Sequence, residues 1–267
     1  MENFKFSEYT QNMYLNKKSK FWTYFNILRI NKIIELLKKH NNFNDIIEIG
    51  AFDLYFGTLV LNFLSIKNLK SYYFVDIYND KYNNFDNHKN KVLEEMKESE
   101  FSSIYEIAKF NIKELKKNNS NIKFELISSF VENLDEKLNK SFDAVFIFET
   151  LEHVIDEEKT INNINNLIKE NGYVFVSVPV EFGFMFLLKE IGRFLVLGKT
   201  NHSLKEIFFS TFGYLNKVKR VLGAHNGYDY RNTIKMFEKF SFKMIEKIYY
   251  PNRILKYGVI FVFQKIN

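Results

Sequence analysis

The chain has 267 residues, 46% of them apolar, and a formal net charge of +6 at pH 7, which suits one elaborated soluble domain rather than two. It contains no cysteine, so a disulfide framework, a Cys-ligated zinc site and a thiol nucleophile are all excluded. Residues 1–20 are polar and aromatic without an apolar centre, so no signal peptide is expected, and a cytoplasmic location follows as the expectation.

Residues 21–40 carry Ile27, Ile30, Ile33, Ile34 and Leu37 at helical spacing, and residues 1–40 read as an N-terminal helical segment. A core at 41–180 follows. Buried strands are predicted at 46–49, 72–77, 123–127, 144–148 and 173–179, with helices near 56–64, 90–117 and 157–169 between them. This alternation predicts an α/β fold, Rossmann-like, with a mostly parallel sheet, right-handed crossovers and helices on both faces. Residues 181–223 read as a helical lid inserted after the fifth strand. Residues 224–267 return to the core and end in two strands, 242–250 and 257–265, which bring the sheet to seven.

Ligands of such sheets bind beyond the carboxyl ends of the strands, so the residues just after each strand are the candidates. After the first strand, Gly50 permits a turn and close ligand approach, Glu48 can bind an ammonium or order the loop, and Asp53 shapes it. The second strand ends at Asp76, placed to accept hydrogen bonds from a ribose. After the strand at 144–148 come Glu149, Glu152 and His153. A helix starting near Glu149 would place all three on one face, where they can hold a divalent cation or move a proton. Acids in a first helical turn are also favoured by the helix dipole, so a capping role is the plain alternative.

Glu-Ile-Gly at 48–50, Val-Asp-Ile at 75–77, Phe-Asp-Ala-Val at 142–145, Leu-Glu-His-Val at 151–154 and the run ending Val-Ser-Val-Pro at 176–179 occur in the order found in class I S-adenosylmethionine-dependent methyltransferases. The chain resembles that family over about residues 40–180. The resemblance implies S-adenosylmethionine as cofactor, with Glu48 and Gly50 along its methionine moiety, Asp76 and the adjoining Ile77 at the ribose, and Ser129 and Phe130 near adenine. Phe52 and Leu54 stand where the family usually has glycines, which leaves open a weakened cofactor site or a degenerate, non-catalytic partner subunit. In metal-dependent 2′-O-methyltransferases of small RNAs and in ubiquinone-pathway O-methyltransferases, a similar Glu-x-x-Glu-His with a distant histidine binds magnesium or manganese. That likeness implies a metal set of Glu149, Glu152, His153 and His225, with His202 in reserve, and makes His153, Glu149 and His225 the catalytic candidates.

The run at 181–198 is too interrupted by charge and glycine to span a bilayer. It reads as a lid hinged at Gly183, Gly192 and Gly198, whose Arg193 or Lys199 meets an anion; a homodimer contact or a membrane-surface contact suits the same composition. Tyr228, Tyr230 and Arg231 either grip a sugar or phosphate or make structural contacts. His40 and His88 are expected at the surface, and Asp143 is expected to be structural. The lid and the His-x-Gly-Tyr-Asp-Tyr-Arg segment at 225–231 resemble those of methyltransferases of polysaccharide precursors, and that resemblance implies O-methylation of a small-molecule acceptor, a sugar or phosphorylated precursor of a surface polysaccharide. RNA is the second acceptor class, and the absence of a concentrated Lys/Arg stripe argues against nucleic acid.

Overall fold

The computed structural model describes residues 20–63, 68–78, 103–134, 138, 141–221 and 225–266; His88 and the start of the helix predicted at 90–117 lie outside them. Helix α1 (Lys20–Lys39) leads into β1 (Asp45–Ile49), α2 (Tyr55–Phe63) and β2 (Ser71–Asp76). Helix α3 (Ile104–Asn118), β3 (Lys123–Ser128), β4 (Phe142–Phe148), α4 (Glu157–Leu167) and β5 (Ile168–Pro179) continue the alternation. Helices α5 (Phe184–Leu197), α6 (Leu204–Thr211) and α7 (Tyr230–Lys239) and strands β6 (Phe242–Pro251) and β7 (Lys256–Lys265) complete it.

The sheet has seven strands in the order β3-β2-β1-β4-β5-β7-β6. Strands β1 to β5 run parallel, and β7 lies antiparallel between β5 and β6. From β1 the chain steps outward through β2 to β3, then returns to the other side of β1 as β4. That reversal opens a crevice between the carboxyl ends of β1 and β4, where such sheets bind ligands.

Both faces of the sheet are covered, which is why β1 and β4 are buried nearly end to end rather than on alternate residues. Ile47, Ile49, Val145 and Ile147 pack under Ile161, Ile164 and Phe237 of α4 and α7. Ile46, Ala144 and Phe146 pack under Ile33 and Leu37 of α1 and Ala108 and Leu115 of α3. The helices begin where side chains replace missing backbone partners: Ser103 caps α3, Asp156 caps α4, and Ser203 with Glu206 forms a capping box on α6.

Strand β5 begins earlier than the sequence predicts. Phe142 pairs with Ile168 while Ala144 pairs with Tyr173, so residues 169–172 bulge out, with Asn171 at a φ of 61°. Ile168 therefore joins the sheet, and α4 stops at Leu167. His40 is half-buried against Tyr173, ring centroids 4.9 Å apart, rather than at the surface. Asp143 accepts hydrogen bonds from Asn44 N (2.8 Å), Asp45 N (2.9 Å) and Lys169 Nζ (2.8 Å), tying β1 to β4 at the end away from the crevice.

Candidate functional site

Residues 50–54 cross the edge of the sheet between β1 and α2. Gly50 N and Ala51 N both donate to Val75 O, at 2.9 and 3.0 Å. Gly50 has a φ of +75°, and a Cβ there would stand 2.0 Å from Thr150 Oγ1, so two separate constraints demand glycine. Thr150 comes from the loop after β4. Its hydroxyl donates to Phe148 O (3.0 Å) and lies 3.4 Å from Ile49 O, joining the two strands at the crevice.

Phe52 and Leu54 adopt φ values of 46° and 65°. The loop thus keeps the left-handed conformations that glycine adopts freely, at a cost of about 1–2 kcal/mol per residue. Three contacts offset it. Asp76 Oδ2 accepts from Phe52 N (2.7 Å), Tyr78 Oη donates to Phe52 O (2.8 Å), and the Leu54 side chain is fully buried.

Acids gather around this loop. Glu48 is buried on β1 with Oε2 accepting from Tyr72 Oη at 2.8 Å. Burial pushes its carboxyl up to about 8; the Tyr72 hydrogen bond opposes the shift, and the charges of Asp53 and Asp76 add to it. Asp53, also buried, accepts from Tyr55 N at 3.2 Å. Asp76 Oδ1 accepts from Ile77 N (2.6 Å), while Ser129 N donates to Asp76 O (3.1 Å) and Ser129 Oγ to Phe130 O (3.1 Å). Ile77, Ser129 and Phe130 are therefore gathered around Asp76. A cradle of carboxyl groups with a glycine at its closest approach fits a cationic, ribose-bearing ligand.

The loop after β4 differs from the prediction. No helix starts at Glu149, which instead takes a φ of 51° and donates its N–H to Ser177 O at 2.9 Å. Its carboxylate accepts from Ser177 Oγ (3.1 Å) and Tyr250 Oη (3.3 Å) and pairs with Arg29 at 3.4 Å. The left-handed residue ends the strand abruptly. One 3-10 turn, Leu151–His153, follows, and α4 waits until Glu157. The expected face of Glu149, Glu152 and His153 on one helix does not form.

Glu152, His153 and His225 nevertheless converge, each offering a ligand atom within 4.8 Å of the others; Glu149 is not part of this cluster. Glu152 is fully buried, neither carboxylate oxygen has a hydrogen-bond partner in another of the described residues, and His153 Nε2 lies 3.9 Å from Oε1. Burial, reinforced by the charge of Glu149 and opposed by His225, pushes its carboxyl up to about 8. His225 reaches the cluster because Arg220 straps two loops together, donating Nη2 to Glu152 O (2.6 Å) and Nη1 to Asn226 O (3.3 Å).

Behind His225 stands Glu181, 3.7 Å from Nδ1 and 2.8 Å from Lys189 Nζ. Burial works against the Glu181 charge, yet Lys189 and His225 pull its pKa down to about 2. Burial likewise disfavours the His225 cation, and Glu181, Glu152 and Glu149 outweigh it, so the His225 pKa is raised.

The other expected ligands lie elsewhere. His202 Nδ1 is 3.4 Å from Glu190 Oε2, with its ring against Phe186. Arg193 pairs with the same buried Glu190, so it does not serve the crevice, and Lys199 is exposed. Tyr228 and Tyr230 are buried, hydrogen-bonded to Thr233 (2.7 Å) and Tyr249 (2.9 Å). Arg231 pairs with Asp229 and donates to Gly213 O at 3.0 Å, which fastens the insertion to α7. Gly183 and Gly198 delimit α5 and Gly192 lies within it. Sequence reasoning missed Thr150, Tyr78, Arg29, Arg220 and Glu181; only Tyr78, two residues after Asp76, had any local signal.

The family described as methyltransferase domain matches residues 24–206, more than half of the chain. No curated protein matches the sequence. Among solved structures, magnesium protoporphyrin IX methyltransferase from Synechocystis PCC 6803, with bound S-adenosylhomocysteine, is similar at a TM-score of 0.56 and 12% identity, over 97% of this chain and 93% of that one. An S-adenosylmethionine-dependent methyltransferase from Clostridium acetobutylicum ATCC 824 gives 0.54 and 12%, over 96% of each chain. The N-methyltransferase NodS from Bradyrhizobium japonicum WM9, in complex with S-adenosylhomocysteine, gives 0.52 and 11%, over 91% and 88%. The seven-stranded order, the acid-lined glycine loop at the switch point and the family match agree: the chain belongs to the class I S-adenosylmethionine-dependent methyltransferases.

Proposed function

We propose that the protein methylates a hydroxyl oxygen of a polar acceptor, a sugar of the kind built into surface polysaccharides, with a magnesium or manganese ion held by Glu152, His153 and His225. The observation that carries this reading is Glu152, fully buried with both oxygens unpartnered beside two imidazoles. A buried carboxylate in that state costs several kcal/mol unless a proton or a cation meets it. One carboxylate oxygen and two imidazole nitrogens fit a divalent ion; the nitrogens favour manganese over magnesium, and zinc takes the same donor set.

When bound, the cation would lower the pKa of an acceptor hydroxyl and fix its position. When bound, S-adenosylmethionine supplies the electrophilic methyl group, and the work left to the protein is alignment. Asp53 and Asp76 attract the cofactor's positive charge, Glu48 orders the strand end through Tyr72, and Gly50 lets Thr150 close against the loop. Glu181 orients His225 through Nδ1, which directs the other ring nitrogen to the cluster. His153, about one-third exposed, is a ligand when the cation is bound; without a cation it is the group placed to take the hydroxyl proton. The sugar follows from the likeness of the insertion and of residues 225–231 to methyltransferases of polysaccharide precursors. With Arg193 engaged by Glu190, Lys199 is the cation left of the two that the sequence offered to a phosphorylated acceptor.

Titration calorimetry with S-adenosylmethionine and with manganese tests the two halves separately. The expected result is cofactor binding with or without chelator, manganese binding that Glu152→Gln abolishes, and methyl transfer that chelator stops and manganese restores. Activity indifferent to chelator but lost in His153→Ala would replace the cation with a histidine base. Absence of cofactor binding would remove the enzyme reading altogether.

A further inference from the structure

The segment between β5 and α7 carries a surface unlike the rest of the protein. Twelve of the eighteen exposed large apolar side chains among the described residues fall between 184 and 221. On α5, Phe184, Leu188, Ile191 and Leu195 recur every three or four residues and form one outward stripe, while Met185, Phe186 and Glu190 face inward. Leu204, Phe208 and Phe212 repeat at intervals of four on and just beyond α6, with the Phe208 and Phe212 rings 4.9 Å apart. The two helices pack on one another, so the stripes belong to one region. Exposure reaches 80% at Val196 and 86% at Leu204, which solvent alone does not favour.

Charge decides what such a surface fits. Lys199, Lys205, Lys217 and Lys219 are exposed, and among the described residues none of them is in an ion pair. The acids of the same segment are taken, Glu190 by Arg193 and Glu206 by the Ser203 capping box. Lys217 lies 5.2 Å from the Phe209 ring and 5.7 Å from Tyr214, and Lys205 lies 5.9 Å from Phe209, so cations and aromatic rings are interleaved. A second copy docking through a twofold contact would bring two basic patches together with no free acid of the segment to meet them. An anionic bilayer offers hydrocarbon to the stripes and acidic headgroups to the lysines. No described helix is long and apolar enough to cross a membrane, so the fit is to its surface.

We propose that α5 and α6 seat the protein on an anionic lipid bilayer, apolar stripes at the headgroup level and lysines against acidic headgroups. The test is co-sedimentation of the full chain with phosphatidylcholine vesicles and with vesicles that also contain phosphatidylglycerol. Binding to the anionic vesicles is expected to exceed binding to the neutral ones and to weaken with salt. Changing any one of the four lysines to Gln should weaken binding about fivefold, the ratio corresponding to about 1 kcal/mol per charge. Leu195→Glu combined with Phe208→Glu should abolish it. All these positions are exposed, so circular dichroism and melting temperature should stay those of the parent, and the single lysine variants hold even if the double variant misfolds. Equal binding to neutral and anionic vesicles, or binding to neither, overturns the proposal. So does a dimer in sedimentation velocity that Leu195→Glu dissociates in a protein that ignores lipid, which would assign the surface to a second copy.

Discussion

Two loops face each other across the crevice, and they solve the same problem in opposite ways. The loop at 50–54 satisfies its polar groups internally: Asp76 and Tyr78 grip the Phe52 peptide from both sides, and Val75 O receives two N–H groups. The loop at 149–153 does not, because it buries Glu152 with both oxygens unpartnered. One loop is organised before any ligand arrives. The other is complete only when a proton or a cation supplies what the chain withholds. Positioning a cofactor rewards rigidity, whereas activating a hydroxyl rewards an acidic group kept out of water and available.

The largest expected effects separate the loops by function. His153→Ala removes either a cation ligand or a proton acceptor and should lower methyl transfer about 10²–10⁴-fold, the scale of a lost proton-transferring side chain, and leave cofactor affinity near that of the parent. Gly50→Val should cost cofactor affinity, because its Cβ must enter the space of Thr150 at a positive φ, and transfer should fall with it. Calorimetry alongside a transfer assay reads both. Loss of cofactor binding in His153→Ala would show that the loops are not separable.

Next in size is the pair behind the cluster. Glu181→Ala leaves the partly buried Lys189 with, among the described residues, only the Tyr257 ring for company and should cost several kcal/mol, up to about 3–5, in denaturant unfolding. It also removes the partner that raises the His225 pKa, so the pH at which His225 titrates should fall, a change visible by NMR. A full loss of stability with an unmoved His225 titration would deny Glu181 its orienting role.

Smaller, but more telling, is pH. The folded pKa of Glu152 is about 8 against an ordinary 4.5, so the folded protein holds a proton that the unfolded chain has released between those values. Its contribution to stability therefore falls as pH rises from 4.5, and the fall is complete above about 8. Manganese should reverse the loss, so the melting-temperature gain it gives should grow across that window. Glu152→Gln should melt above the parent at pH 8 and show no manganese gain. Glu48 is shifted the same way, to about 8, and its share should persist with manganese, since it lies in the other loop. A manganese gain independent of pH would place the ion elsewhere.

Much of the fold was legible because the central parallel strands are mostly apolar and buried, and burial on both faces leaves that mark whatever the neighbours are; β3, at the sheet edge, buries only Phe124. The Glu149 loop was not legible. Its left-handed turn depends on Ser177, Tyr250 and Arg29, drawn from β5, β6 and α1, and no spacing within residues 149–153 encodes contacts that distant. Arg193 failed for a nearer reason: its partner Glu190 is three residues away, but only packing against Phe186 and His202 makes that carboxylate buried and exacting. Phe52 and Leu54 were correctly seen as departures from glycine, and the sequence was silent on the clamp that lets them adopt a glycine's conformation.

That clamp sets the smallest expected effect. Phe52→Gly should relieve about 1–2 kcal/mol of left-handed strain and lose about 0.5–1 kcal/mol to the freedom of an unfolded glycine, leaving a net change near 1 kcal/mol before lost ring contacts. Both Phe52 hydrogen bonds are made by its backbone, so Asp76 and Tyr78 should hold the turn as before. Cofactor affinity should then change no more than severalfold. Leu54→Gly relieves the same strain but empties a fully buried position, a truncation on the scale of about 2–5 kcal/mol, and should lower the melting temperature clearly. If Phe52→Gly instead tightens cofactor binding by orders of magnitude, the non-glycine loop is an impaired site. An unchanged affinity means that the protein rebuilt a glycine turn from hydrogen bonds, and that the self-satisfied loop is as competent as it is rigid.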